Sequence, residues 1–540
     1  MKKHLIAILL LIACLATSSA QEPTKIEIVN TNTLEVNENL GPDIKILRGD
    51  VVFYHDSAYM YCDSAHYNNK ANFFQAFGRI HIIKLMSDND TVHLWSDSAQ
   101  YNGNIKLAQA RKNVKMTRDS MIMLTENLDF NMIDNVAYYF DGGTTFSGED
   151  TLISQNGYFY PNTNDLKYTN HVEIHNPKYL MLSDTLTHNI TTKISTFLGP
   201  SEIFGGDDYL YTERGWYNHN LDQGKLTKNS YLTSNERRLD ADSIFYDRAK
   251  NYGFGENNVV ITDTVQSIIL LGDKAHYYDA DQKSILTDKA LMIYYSDIDT
   301  VFLHADTICS YMTPYVKEKP DSVYRMVKAY HRTKMFRRDI QAMCDSMVYN
   351  FSDSTVTMNR NPVIWHNENQ ITAKNMKFYT SHNHIDMVEL LNEAFVISKV
   401  DDEDRFNQIY GKNMVAYLDS NKIQEVEVIS NANTVYYTVE DHYATGMNQI
   451  SSQDMNIHFT NGKVDRIWFY KKPQGALYPL KGLTKRQMFL DGFVWLDKHR
   501  PYGKDDVFVW GEITEKPITA QQLEEEAEAE RLAKEEMEEF

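Results

Sequence analysis

The chain has 540 residues, 42% of them hydrophobic, with 35 Tyr, 12 Pro and only 4 Cys. This composition excludes a disordered chain, a collagen and a small disulfide scaffold, and the length fits either several ordinary domains or one long repeat array. The formal net charge of -20 argues against nucleic acid as a partner, because a polyanion would be repelled.

The N-terminus has the pattern of an export signal. Lys2 and Lys3 precede an apolar run at 5–12, and small residues follow up to Ala20. This predicts a signal peptide over 1–20 and an exported protein. Cys14 also fits a lipoprotein box, which leaves an acylated N-terminus as an alternative. No later stretch approaches the roughly 18 apolar residues needed to cross a membrane.

Three cysteines remain after the predicted cleavage site: Cys62, Cys309 and Cys344. Their odd number, wide separation and lack of a C-x-x-C motif predict neither a disulfide framework nor a metal cluster. We expect them to be buried as small apolar residues.

The rest of the chain is organised by an internal repeat. The segment CDSAHYN at 62–68 returns as SDSAQYN at 96–102, so that Asp63 corresponds to Asp97. From Asp97 this anchor position recurs in five equal steps of 29 residues, at Glu126, Gln155, Asp184, Glu213 and Asp242. It continues with less even spacing at Asp273, Asp306, Asp345, Lys374, Lys412 and Gln453.

Apolar residues follow the anchors at the second and fourth positions, with polar residues such as Gln100 and Lys274 between them. This alternation is typical of a half-buried strand with one apolar face. The apolar residues are Ala65, Tyr67, Ala99, Tyr101, Leu128, Phe130, Ile244, Tyr246, Ala275, Tyr277, Met347, Tyr349, Met376 and Phe378.

A second apolar column lies 17 residues after the anchors, at Ile80, Val114, Val172, Val259 and Ala290. Turn formers such as Gly78, Asn170 and Asn258 precede this column. Gly and Asn adopt a left-handed backbone conformation at low energetic cost. Each repeat is therefore predicted to hold two strand passes separated by a bend. The predicted fold class is all-β: an elongated β-jellyroll or β-solenoid stack of repeats of about 29 residues, with a short acidic C-terminal helix or tail.

The domain prediction divides the repeats into two blocks, 21–311 and 325–480. Two prolines and clustered charge predict a loop at 312–321. The basic stretch 325–338 is explained either by charge balance on an exposed strand or by a site for phosphate groups. A C-terminal extension at 481–512 and an acidic helix or disordered tail at 513–540 complete the prediction.

Motifs for catalysis and cofactor binding are missing from the sequence: there is no H-E-x-x-H, G-x-S-x-G or P-loop. We predict no catalytic residue, no metal and no cofactor. Three alternatives remain open. The first is a metal at His382 and His384, and the second is Ca²⁺ at the acidic clusters 205–208 and 401–404. The third is a polysaccharide-acting enzyme whose catalytic carboxylates come from repeats far apart in the sequence.

Several short motifs resemble the LptA/OstA family of lipopolysaccharide-transport proteins. In the first half these are LRGDVVFY at 47–54, YCDSAHY at 61–67 and GRIHI at 78–82. The second half is similar to the OstA-like proteins of Bacteroidetes, with DIQAMCD at 339–345, NPVIW at 361–365, NQIYG at 407–411, FVW at 493–495 and RP at 500–501. The resemblance covers roughly residues 25–505. It implies an incomplete β-jellyroll, two facing sheets around an apolar interior that binds lipid A acyl chains.

The function that this resemblance implies is a periplasmic, non-enzymatic protein that binds lipopolysaccharide and carries or bridges it toward the outer membrane. The fourteen apolar residues that follow the anchors would bind the acyl chains. Expected partners are lipopolysaccharide, other Lpt-type components, or further copies of the chain stacked through strand edges near 25–55 and 455–480, with association with the outer membrane as a further expectation. The alternative is a structural or adhesive β-solenoid whose core is filled by its own side chains.

Overall fold

The computed structural model describes residues 25–538, except for 37–40, 87–90, 207, 235–236, 266, 279–281, 297–298, 317–318, 382–383, 402 and 441–442. The predicted signal peptide and Cys14 lie outside the described residues. The chain forms two compact units, unit 1 ending at Leu232 and unit 2 beginning at Thr233. The predicted repeat blocks 21–311 and 325–480 stay predictions.

Unit 1 is built of antiparallel strands. They are β1 Glu27–Asn30, β2 Thr33–Val36, β3 Ile44–His55, β4 Ala58–Asn68, β5 Phe73–Leu85, β6 Thr91–Asn102, β7 Leu107–Arg118, β8 Met121–Asn131, β9 Val136–Tyr139, β10 Gly143–Ser147, β11 Asp150–Ser154, β12 Asn156–Tyr160, β13 Asp165–Asn176, β14 Tyr179–Asn189, β15 Ile194–Phe197, β16 Ser201–Gly205, β17 Asp208–Thr212, β18 Arg214–Asn218 and β19 Gln223–Ser234, at whose end the unit boundary falls.

Unit 2 continues with the same kind of element and ends in helices. Its strands are β20 Arg237–Asp247, β21 Tyr252–Asp263, β22 Ile268–Tyr278, β23 Lys283–Thr287, β24 Leu291–Tyr295, β25 Thr300–His304, β26 Thr307–Val316, β27 Lys319–Phe336, β28 Ile340–Asn350, β29 Thr355–Asn359, β30 Val363–His366, β31 Asn369–Thr372, β32 Asn375–Ser381, β33 His384–Lys399, β34 Phe406–Asp419, β35 Lys422–Glu440, β36 Tyr443–Thr460, β37 Lys463–Tyr470 and β38 Gln474–Tyr478. The helices are α1 Lys485–Met488 and α2 Ala520–Glu538, with 3₁₀ turns at Asp497–His499 and Lys504–Phe508.

The all-β prediction is confirmed, and the structure has the helical alternative for the acidic C-terminus. The loop predicted at 312–321 is wrong for the described residues, which belong to β26 and β27. The prediction took Pro314 and Pro320 as signs of a loop. Proline is, however, tolerated at strand positions whose backbone donates no hydrogen bond to the sheet. Of the helices in the described part of the chain, none is both long enough and apolar enough to span a bilayer.

The long strands bend near their middle at residues with positive φ. In β5 these are Gly78 (φ 76°) and Arg79 (φ 45°), and in β7 they are Lys112 (φ 64°) and Asn113 (φ 51°). The strand register shifts at each of these bends, so the two halves of a strand pair with the corresponding halves of its neighbours. The prediction of two passes per repeat, separated by a left-handed bend, is confirmed.

The repeated acidic anchors hold these bends. Asn113 Nδ2 donates to Asp97 Oδ2 at 2.7 Å, and Asn258 Nδ2 donates to Asp242 Oδ2 at 2.9 Å. Arg79 makes the equivalent contact to Asp63 at 2.6 Å. Each pair is separated by 16 residues, so the carboxylate belongs to one strand and its donor to the bend of the next. Each of these three bends is therefore held by the acidic anchor that precedes it in the chain.

The apolar positions after the anchors line up across the strands. In unit 1 one cross-strand ladder runs through Leu47, Ala65, Ala76, Ala99, Ala110 and Leu128. In unit 2 the corresponding ladder is longer and runs through Ile244, Gly255, Ala275, Leu286, Ile308, Ala329, Met347, Met358, Met376, Leu390, Met414, Val428 and Met455. Burial of this stripe in each unit supplies the hydrophobic stabilisation of the stack.

The segment after β38 packs back on the strands of unit 2. Its Leu490 and Phe493 join a core cluster with Phe395, Phe406 and Tyr437. Further along, Leu496 packs with Met343, Val363 and the fully buried Trp365. We call residues 484–511 the C-terminal strap.

Candidate ligand-binding cavity

Unit 1 contains a cavity between the two halves of its bent strands. Its empty volume is about 920 Å³, including space that is open to solvent. The lining residues are Ile26, Phe53, His55, Ala58, Met60, Phe74, Ile82, Lys84, Met86, Val92, Leu94, Ala99, Gln100, Tyr101, Ala108, Gln109, Ala110, Met116, Leu128, Phe130, Met132, Ala137, Phe159 and Pro161. Apart from two glutamines, His55 and Lys84, these are apolar or aromatic.

The two walls of the cavity come from the two halves of the strands. One wall is a ladder in which Phe74 pairs with Tyr101, Tyr101 with Ala108, and Ala108 with Phe130. The other wall carries Met60, Ile82, Leu94 and Met116, which are likewise cross-strand neighbours. The Tyr101 hydroxyl reaches across to His55 Nδ1 at 2.8 Å, so the walls meet at this point. Burial raises the pKa of Tyr101, and Asp56 adds to that shift.

The chemistry of the lining suits a flexible apolar ligand. Met60, Met86, Met116 and Met132 contribute unbranched, polarisable side chains that conform to irregular shapes. Ala108 keeps space free between its bulky cross-strand neighbours Tyr101 and Phe130, and Ala99 and Ala110 add small side chains to the lining. A hydrocarbon chain that enters such a cavity gains about 0.8 kcal/mol for each CH₂ removed from water.

One end of the cavity is polar. Lys84 Nζ lies 3.5 Å from the backbone carbonyl oxygen of Asp56 and 5.6 Å from the ring centroid of Phe130. The Asp56 carboxylate is held by Lys106, whose Nζ is 2.7 Å from Oδ2. Burial lowers the pKa of the Lys84 ammonium; Asp56 opposes this shift and Lys106 adds to it.

Four of the fourteen predicted lipid-binding residues line this cavity: Ala99, Tyr101, Leu128 and Phe130. Ala65 and Tyr67 are buried next to it, in the same ladders, with Tyr67 opposite Phe74. The cavity thus brings together the predicted residues of two consecutive repeats, and those of a third lie next to it. A role of these residues in binding stays a prediction.

The eight predicted residues of unit 2 fall on two neighbouring ladders. Ile244, Ala275, Met347 and Met376 are buried in the long ladder described above, and Phe378 is buried beside it. Tyr277 and Tyr349 are half-buried. Tyr246 is 39% exposed because its cross-strand neighbour, Gly253, has no side chain to cover the ring.

Sequence reasoning missed the second wall of the cavity. Ile82 and Met116 lie 19 residues after the anchors Asp63 and Asp97, two positions beyond the second apolar column. Because residues two apart in a strand share a face, extending that column by one more alternation would have found them. Lys84 lies 21 residues after Asp63, as Arg118 does after Asp97, but only the structure shows that Lys84 lines the cavity.

The ladder of the first wall becomes polar further along unit 1. From Phe130 it continues through Ala137, Phe159 and Leu166 and then reaches His188 and Ser195. Ser195 Oγ lies 3.0 Å from His188 Nδ1 and 2.9 Å from His219 Nε2. Burial lowers the pKa of His188 to about 4, and His219 and Lys193 add to the shift. This cluster interrupts the apolar interior.

The remaining candidates from the sequence do not converge on a site. Among the described residues no group of three or more His, Cys, Asp or Glu is placed to hold a metal; His382 lies outside them, and His384 contacts Asn421 at 2.9 Å. The cationic side chains of the basic stretch 325–338 contact different partners. Arg332 pairs with Asp306, and Lys334 donates to two backbone carbonyls of the strap.

The three cysteines are free and buried, as predicted. Burial raises the pKa of the Cys62 and Cys344 thiols to about 12 in each case. They therefore behave as small apolar core residues.

Comparisons with known proteins bear on the segment that holds the cavity. The crystal structure of LptH from Pseudomonas aeruginosa, described as the LptA homologous periplasmic component of the conserved lipopolysaccharide transport device, is similar at 12% identity; the match covers 25% of this chain and 94% of LptH, with a TM-score of 0.19. That score is too low to support an argument about this chain. No curated protein matches the sequence.

Residues 23–184 match the family model described as OstA-like protein, and every residue that lines the cavity lies inside this range. The resemblance found in the sequence motifs is therefore confirmed for the first third of the chain. Over residues 23–184 the chain is therefore similar to the OstA-like family.

Proposed function

We propose that this protein is an exported, non-enzymatic carrier of lipopolysaccharide that holds acyl chains in the cavity of unit 1 and passes the lipid toward the outer membrane through the periplasm. The observation that carries the proposal is the cavity itself. It is lined almost completely by apolar side chains, is open to solvent, and lies wholly within the OstA-like segment.

The physical argument concerns the cost of an empty apolar cavity. A filled core buries its apolar side chains against each other, and a lining without partner atoms loses those dispersion contacts. An acyl chain restores them and leaves water at the same time. The two walls belong to strands whose bends at Arg79 and Asn113 are held by Asp63 and Asp97.

The experiment is photocrosslinking to lipopolysaccharide with a photoreactive residue at Tyr101 and Met116, which line the cavity from opposite walls. Matched controls are Gln75 and Lys115, which are exposed and adjacent in sequence to the lining residues Phe74 and Met116. Adducts at the first pair and not at the second support the proposal. Folded protein that gives no adducts, or equal adducts at all four positions, contradicts it.

The alternative function, a structural or adhesive stack, is favoured by a separate observation in unit 2. There Met376, Met414 and Met455 are at most 1% exposed, which is typical of a packed core. Photoreactive residues at Ile244 and Tyr349 decide between the two functions for this unit: lipid adducts there indicate a binding path, and none indicates a filled core.

The expected partners through strand edges also stay a proposal. Among the described residues, β2 pairs only with β3, and β37 pairs only with β36. Both strands are exposed, and β37 presents Ile467 and Trp468, each 40% exposed. Unpaired backbone groups on an exposed strand provide a template for the strand of a partner, either an Lpt-type component or a second copy.

A further inference from the structure

The polar end of the cavity contains a cationic side chain. Lys84 lines the cavity near the end of β5, and its side chain is partly buried. Among the residues that the structure describes, no carboxylate forms an ion pair with Lys84 Nζ. Its nearest polar contact is the backbone carbonyl oxygen of Asp56 at 3.5 Å.

The acid that could neutralise Lys84 is already engaged. Lys106 Nζ holds Asp56 Oδ2 at 2.7 Å, and His55 Nδ1 lies 3.9 Å from the same oxygen. Among the described residues at this end of the cavity, the two lysines and one aspartate leave a surplus of one positive charge. Removing a cation from water without a counter-charge is unfavourable, and a bound anion offsets that penalty.

Aromatic and polar groups surround Lys84 at this end of the cavity. The Phe130 ring centroid lies 5.6 Å from Lys84 Nζ, and the Tyr101 hydroxyl forms a hydrogen bond with His55 Nδ1 at 2.8 Å. The apolar walls lie beyond them. A cavity with an apolar body and a cationic end is complementary to a molecule with a hydrocarbon chain and an acidic headgroup.

We propose that the ligand of this cavity is an anionic amphiphile, and that Lys84 is the specificity-determining residue that binds its acidic headgroup, a phosphate or a carboxylate. This inference rests on the proposed function, since it requires that the cavity hold a hydrocarbon chain. An ammonium that binds an anion in a partly buried site forms a charge-assisted hydrogen bond, which is stronger than a neutral one.

The test compares three ligands that share a twelve-carbon chain: dodecyl phosphate, dodecanoate and uncharged dodecanol. Binding to the full-length mature protein is measured by calorimetry below the micelle concentration. We expect the anions to bind at least tenfold more tightly than dodecanol, and the stronger of the two anions identifies the headgroup chemistry.

The variants separate charge from packing. Lys84→Met, which keeps a chain of similar length, should reduce the affinity for the anions at least tenfold and leave dodecanol binding unchanged, whereas Lys84→Arg should retain the anion preference. Lys115→Met removes a lysine from an exposed position outside the cavity lining and serves as the control. Thermal melting verifies that each variant is folded.

The outcomes distinguish the two proposals. If dodecanol binds and the anions bind no better, or if the anion preference survives Lys84→Met, the role of Lys84 is wrong while the lipid cavity stands. If none of the three ligands binds to folded protein, the cavity does not hold a hydrocarbon chain, and both proposals fail.

Discussion

Gln370 and Gln408 hold the C-terminal strap by the same pair of hydrogen bonds. Gln370 Nε2 donates to the carbonyl of Val494 at 2.7 Å, and Gln370 Oε1 accepts from the Leu496 N–H at 2.7 Å. Gln408 repeats the arrangement with the Met488 carbonyl at 2.6 Å and the Leu490 N–H at 2.9 Å. Each side-chain amide thus forms the two hydrogen bonds that the backbone of a neighbouring strand would form. The strap is irregular, and these bonds satisfy backbone groups that it would otherwise bury unpaired.

Gln408→Ala should loosen the strap. The substitution leaves a buried N–H and a carbonyl without partners, which we expect to lower the free energy of unfolding by roughly 2–4 kcal/mol. Denaturant unfolding measures this loss, and trypsin should cleave more quickly at Lys485 and Arg486. Gln424→Ala, at an exposed position, is the control. If both variants have the same stability and cleavage rate, the strap is not held by Gln408.

Filling the cavity should weaken ligand binding without unfolding the protein. Ala108 lies between Tyr101 and Phe130 in the first wall, so Ala108→Trp places a ring in the space available to an acyl chain. Displacing two methylenes costs about 1.6 kcal/mol, or roughly a tenfold loss of affinity for a twelve-carbon ligand.

The control for this prediction is Ala71→Trp, at an exposed position outside the cavity lining. Calorimetric titration with dodecyl phosphate compares both variants with the parent protein. Unchanged affinity in folded Ala108→Trp would show that the ligand binds elsewhere.

The bends give a prediction about backbone conformation. Asn113 adopts φ 51°, where a β-branched residue is strained. Asn113→Val should therefore lower the free energy of unfolding by about 1–2 kcal/mol. Asn113→Gly, which tolerates this conformation and loses only the contact to Asp97, should cost much less. Equal losses for the two variants, measured by chemical denaturation, would mean that the Asp97 contact and not the bend determines stability.

The features that the sequence could predict are those that repeat. The alternation after each anchor identified Tyr101 and Phe130 on one wall of the cavity, and the Gly and Asn positions located the bends, because both depend on local rules that recur every 29 residues. The roles of Lys84 and Gln370, by contrast, depend on contacts that no local rule encodes. Gln370 and Leu496, for example, are separated by 126 residues.

The exposed strand β37 predicts association through its edge. Replacing Ile467 and Trp468 together with Lys should weaken self-association or binding of an edge-pairing partner, since lysine on an edge strand opposes pairing with another strand. Sedimentation velocity over a range of concentrations measures the effect. Tyr443, which is 78% exposed on β36, provides a control substitution to Lys. If the β37 variant and the Tyr443 control associate to the same extent, β37 is not the contact.

The polar cluster at His188 predicts a loss of stability in acid. Burial holds the pKa of His188 at about 4 in the folded protein, below the ordinary value of 6.5. Between these two values the unfolded chain binds a proton that the folded chain does not, so the stability is complete above pH 6.5 and falls as the pH decreases toward 4. The shift corresponds to roughly 3 kcal/mol when fully expressed.

His188→Asn removes the titrating group and keeps a side chain that can contact Ser195, so the free energy of unfolding should depend less on pH between 4 and 6.5. The groups around the cluster change the size of the effect but not its direction: His219 and Lys193 oppose protonation of His188, and Asp150 lies 3.9 Å from His219 Nδ1. His175→Asn, at a side chain that is half exposed, is the matched control. Denaturant unfolding at a series of pH values gives the slope, and an equal slope for the parent protein and His188→Asn would show that the acid sensitivity arises elsewhere.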